Sequence, residues 1–124
     1  MSPERLVLAF RAGGERYAVP LEKVREAARP RCITPLPGAP AAWKGVALVR
    51  GEALGVVDVA AAVGKPRMEA RESPLVVVLR GCDHALLVDA VDGVEPIPGS
   101  GAVAATGEPF VLLDVDRLGA RSEG

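Results

Sequence analysis

The chain has 124 residues, enough for one domain with a real core but not for two large ones. Acidic and basic residues nearly cancel, 16 against 15, so no global field invites nucleic acid or an anionic membrane. No apolar run approaches the roughly 20 residues of a membrane span, which excludes direct membrane insertion by a helix. Half of the chain is apolar, yet Phe10, Tyr17, Trp43 and Phe110 are its four aromatic residues, so the core is built from Val, Leu and Ala. The opening "MSPERLVLAF" has no signal-peptide cleavage pattern after it, and a cytoplasmic location is expected. With its short polar end "GARSEG", the chain reads as a free-standing protein.

In chain order, "RLVLAFRA" (Arg5–Ala12) and "ERYAVP" (Glu15–Pro20) flank Gly13-Gly14. Glycine supplies positive φ freely, so this is a predicted β-hairpin. "PLEKVREAAR" starts on Pro20, suited to a first helical turn, and is expected to turn once and then extend. Four prolines between Pro30 and Pro40 make the next stretch an ordered excursion and exclude a helix. "GVALVRG" and "EALGVVDV" read as consecutive strands, with Arg50 between them. "DVAAAVG" predicts a short helix capped by Asp58 and stopped by Gly64. "KPRMEARESP" (Lys65–Pro74) is polar and reads as a linker.

After the linker the pattern starts again. "LVLAFRAGGERYAVPLEKV" from Leu6 is echoed by "LVVVLRGCDHALLVDAVDGV" from Leu75, and "GEALGVVDV" (Gly51–Val59) aligns without a gap on "GEPFVLLDV" (Gly107–Val115). Two copies of one supersecondary unit, each with about five short strands and one helical turn, predict two small β-barrels sharing a core. The copies differ in length: Leu6 to Gly51 spans 45 positions and Leu75 to Gly107 spans 32. A truncated second barrel follows from that deficit, with a homodimer completing it by strand exchange as an open alternative.

Chemistry-bearing residues are sparse. Cys32 and Cys82 have no metal-ligand spacing and are expected as free thiols. His84, two residues after Cys82, allows a thiol hydrolase as the rival from another functional class, but "RGCDHA" reads as a hairpin loop. Asp89 and Asp92, three apart on a strand, lie on opposite faces and do not make a metal pair. Asp58 and Asp114 stand at matching repeat positions as helix caps. No metal, cofactor or catalytic group is predicted. An arginine cannot be buried unpaired, so Arg50 is expected either to pair with Asp58 or Glu26 or to face a partner. Trp43, just before "KGV", reads as a partly buried cap over the first barrel, with a binding hot spot as the alternative.

"ERYAVPLEKVREA", "ITPLPGAPAAWKGVALVRGEALGVVDV" and "LLVDAVDGVEPI" together resemble the CheW family of bacterial chemotaxis adaptors. The resemblance runs from about Leu6 to Leu118. It implies an all-β fold of two intertwined five-stranded barrels with short helical turns, the second one truncated here. It divides the chain into a first subdomain of about 15–74 and a second of about 75–118 plus the N-terminal strand 5–12. It implies a scaffold without enzymatic activity that couples the cytoplasmic tips of methyl-accepting chemoreceptors to the regulatory domain of a CheA-type histidine kinase. Arg50 corresponds to the arginine of the family's Leu-Arg-Gly motif, and Val24 with Glu26 to its Val-x-Glu. Ile33, Trp43 and Gly45 lie in the matching Ile-Thr and Lys-Gly-Val stretches and join the expected partner-binding set. Leu48 stands where the family has Asn, and Gly55 where it has Pro. The shortened second half puts the family's second kinase contact in question and leaves a receptor-binding protein that no longer engages the kinase as the alternative.

Overall fold

A computed structural model describes residues 5–64, 74–81, 83–97 and 110–113. Among the described residues, nine strands make two sheets: β1 (Arg5–Ala12), β2 (Glu15–Pro20), β3 (Val24–Ala28), β4 (Trp43–Val49), β5 (Glu52–Asp58), β6 (Leu75–Leu79), β7 (His84–Val88), β8 (Ala90–Ile97) and β9 (Val111–Leu112). One sheet has the order β8-β1-β2-β9 and the other β3-β6-β7-β5-β4. Gly13 and Gly14 both take positive φ in the β1–β2 turn, as the hairpin signal requires. A single 3-10 turn, Leu21–Lys23, follows Pro20 and gives way to β3. Helix α1 (Val59–Ala62) is capped by Asp58, whose carboxylate accepts from the Ala61 amide at 3.3 Å, and the left-handed Gly64 follows it. The linker centred on residues 65–73, Cys82 and Asp114 lie outside the described residues.

The all-β reading holds, with two sheets where two small barrels were expected, and the repeat appears in the hydrogen bonding with its strands exchanged. The hairpin β6–β7 of the second half sits between β3 and β5 of the first, and the hairpin β1–β2 of the first half sits between β8 and β9 of the second. Equivalent pairs keep the same register: Val77 faces Ala27 as Leu8 faces Val94, and Leu79 faces Val24 as Phe10 faces Val91. Each sheet carries a β-bulge at the same place, with Arg25 as the extra residue in one and Asp92 in the other. The parallel pairs correspond too, since Gly55 opposite His84 in β5–β7 matches Val111 opposite Tyr17 in β9–β2. Strands from both sides of the linker therefore make up each sheet. Among the described residues the position of β4 has no counterpart beyond β9, so the sheets hold five and four strands, and no main-chain pairing closes either into a barrel.

Burial follows sequence pattern. Val76 to Leu79 and Ala85 to Val88 are continuous apolar runs and are buried throughout, as central strands covered on both faces must be. One cluster joins Leu8, Phe10, Tyr17 and Val19 of the four-stranded sheet to Val56, Val77, Leu86 and their neighbours in the other. The opposite face of β1 and β2 is buried as well, with Val7 and Ala18 packed against Phe110. Arg16 shares that face and is 8% exposed. Its Nε donates to Asp92 at 2.9 Å, its Nη2 pairs with Glu95, and its guanidinium lies 5.8 Å from the Phe110 ring centroid. Asp92 also takes Arg11, so the bulge residue neutralises two arginines that face each other across β1 and β2. It is a salt-bridge hub; Asp89 instead accepts from the Gly13 amide at 3.1 Å.

Asp92→Ala is expected to lower the unfolding free energy by about 3 kcal/mol, because it withdraws a carboxylate from a buried guanidinium. Urea denaturation measures it. Gly45→Ala is expected to lose on the order of 2–4 kcal/mol in the same assay. Gly45 has φ +149, and a Cβ there meets the Thr34 carbonyl oxygen at 2.1 Å, a main-chain atom that cannot swing away.

Candidate functional site

The β4–β5 turn places Arg50. Val49 pairs with Glu52, and the two residues between them, Arg50 and Gly51, have φ +53 and +78. Two successive left-handed residues make the tight turn that matches strand twist, and Asn or Gly is the usual first occupant. Arginine in that conformation costs on the order of 1 kcal/mol. Arg50 is the single non-glycine residue with positive φ among those described.

Its Nε donates to both carboxylate oxygens of Glu26, at 2.9 and 3.0 Å. Of the two carboxylates the sequence offered, Glu26 is therefore the partner; Asp58 is buried at the cap of α1. The bulge residue Arg25 reaches Glu26 at 3.6 Å and Glu52 at 2.9 Å. The ladder Arg50–Glu26–Arg25–Glu52 thus ties the β4–β5 hairpin to β3. These elements form the two opposite edges of the five-stranded sheet, which main-chain bonds leave unjoined. A cleft of about 270 Å³ lies along that seam, walled by Ala27, Ala28 and Pro30 on one side and Leu48 and Val49 on the other. Arg50 leaves 75% of its side chain in solvent, so the ladder adds little to folding.

The other expected residues surround this seam in different capacities. Val24 and Gly45 are buried and set the course of β3 and β4 without offering surface. Gly45 lets Val46 exchange two 2.8 Å main-chain bonds with Thr34, which docks the proline excursion on β4. Ile33, half-buried beside Thr34, packs against the main core. Trp43 is half-buried, with its ring over Gly55 and edge-on to His84 at 4.9 Å between centroids. A Cβ at residue 55 would sit 2.4 Å from the indole, which explains why glycine stands here. His84 is accounted for by that contact, while Cys82, its partner in the hydrolase alternative, lies outside the described residues.

Residue types alone did not pick out Arg25 or Leu48. Arg25 joins the ladder only through the bulge. Leu48 lies on the exposed side of β4 between the buried Ala47 and Val49, and strand alternation was the signal that could have found it.

This architecture and this motif have close parallels. The family model for the CheW-like domain matches residues 6–123. The chain belongs to the CheW-like family. It is 35% identical to the chemotaxis protein CheW of Rhizobium meliloti, covering 92% of this chain and 86% of that one. It is 36% identical to the protein FrzA of Myxococcus xanthus and 33% to PilI of Pseudomonas aeruginosa, of whose lengths it spans 61% and 52%. Its fold is that of the scaffolding protein TtCheW from Thermoanaerobacter tengcongensis, with a TM-score of 0.79 over 98% of this chain and 97% of that one, at 19% identity. Membership places the chain in a family of CheW-like chemotaxis scaffolds. No helix among the described residues is long and apolar enough to cross a membrane.

Arg50→Gly relieves the left-handed arginine while removing only an exposed ion pair. Its melting temperature is expected to stay within about 2 °C of the parent or to rise, by differential scanning calorimetry.

Proposed function

We propose that this CheW-like chain is a cytoplasmic, non-catalytic adaptor that couples the helical tips of methyl-accepting chemoreceptors to the regulatory domain of a CheA-type histidine kinase. The supporting observation is the Arg50–Glu26 pair at the open seam of the five-stranded sheet. A strained arginine is held on the surface by a bifurcated bond, one Nε–H shared by both oxygens of Glu26, where it contributes little to stability. Such strain persists where function uses the side chain. Glu26 keeps the guanidinium oriented, and Val24, Gly45, Ile33 and Trp43 shape the ground on which the pair stands.

Co-purification with a receptor cytoplasmic fragment and, separately, with the kinase regulatory domain tests the reading. Both are expected to be retained. Retention of the receptor fragment alone selects the receptor-only adaptor, and two null results end the proposal. Arg50→Ala and Arg50→Gly are expected to weaken the retained complex about tenfold, a loss of about 1.4 kcal/mol of binding. Unchanged affinity in both variants removes Arg50 from the site.

A further inference from the structure

We infer that Leu48 is the apolar knob of this surface and that, with the arginines around it, it selects a partner helix whose apolar stripe is flanked by carboxylates. The inference rests on the adaptor reading and goes further by stating what the partner must present.

Leu48 is 65% exposed, the highest value among the exposed large apolar residues described. A lone exposed leucine is ordinary. This one is set apart by its surroundings. It is the shared wall of two hollows of about 270 Å³ each, the seam cleft on the β3 side and a second depression lined by Cys32, Thr34 and Val46. A knob between two hollows is the complement of a helix surface, where side-chain rows alternate with grooves. A strand added to β4 fits less well, because Val46 already spends its outward main-chain groups on Thr34. A helix asks for side-chain contacts alone.

Charge selects the flanks of that helix. Arg29 and Arg50 line the seam cleft, and Arg31 lines the second hollow. Among the described residues of the two linings, arginines outnumber carboxylates three to one, and the carboxylate, Glu26, is engaged by Arg25 and Arg50. The patch is therefore cationic on a chain whose formal net charge is −1. An acidic partner is steered to it, and carboxylates placed beside the socket for Leu48 meet the arginines.

The test uses the full chain and a receptor cytoplasmic helical fragment encoded in the same genome, with the kinase regulatory domain run in parallel. Leu48→Asn is expected to weaken binding of the helical fragment about tenfold with an unchanged melting temperature, and Leu48→Met to keep it within about twofold. Arg31→Glu is expected to slow association and flatten its salt dependence. If the parent binds the helical fragment and Leu48→Asn binds it equally well, the inference fails and the adaptor reading stands. A Leu48→Asn defect confined to the kinase domain also overturns it. Failure of the parent to bind either protein overturns both.

Discussion

Two parallel strand pairs hold this molecule together. β5 lies beside β7 and β9 beside β2, so each half of the chain lends a strand to the other half's hairpin. Parallel neighbours cannot be joined by a tight turn, and neither hairpin can extend its sheet with strands next to it in sequence alone. The two sheets consequently share a core, in which Phe10 and Tyr17 from one meet Val56 and Leu86 from the other. A few local hairpins supply the starting points for folding, but the native sheets depend on contacts between distant segments, the slow and cooperative kind.

Duplication puts a bulge at the same place in both sheets, and the two copies have used it differently. In the four-stranded sheet the extra residue is Asp92, which sits against the buried Arg16 and answers a desolvated charge. In the five-stranded sheet it is Arg25, part of a ladder whose outer member, Arg50, is largely in water. Burial decides what each cluster can do. Ions withdrawn from water are bound tightly to their partners, and breaking them is destabilising, so the Arg16 cluster serves the fold. Exposed ions exchange partners at little cost, so the Arg50 ladder can be rearranged by another protein without loosening the sheet.

Local signals were readable in the sequence and long-range ones were not. The Gly13-Gly14 hairpin, the β4–β5 pair and the Asp58 cap each depend on residues within a few positions of one another, and each is where its residues place it. The repeat was visible and the family resemblance implied intertwined barrels, but the residues alone did not say which hairpin would join which strands. Arg50 was expected either to pair with Asp58 or Glu26 or to face a partner. Choosing Glu26 over Asp58 required knowing that β3 ends up across the seam from the β4–β5 turn, 24 positions away in sequence. Glycine at residue 55, a plain departure from the family pattern in the sequence, becomes intelligible only beside the ring of Trp43.

The same geometry explains why the surface can be both rigid and adjustable. Gly45 admits the close approach of Thr34 that fixes the excursion on β4, and Trp43 clamps the start of that strand over Gly55. From there Val46 and Leu48 lie on the less buried face of β4 at alternate positions, roughly 6.6 Å apart, and Arg50 follows in the turn. That spacing runs from an anchored apolar residue, through a protruding one, to a cation poised on a strained turn. Rigidity at the base means little ordering entropy is lost when a partner arrives. The adjustable part is confined to the tip, where the exposed Arg50 can exchange Glu26 for another carboxylate at little cost while the strand beneath stays in place.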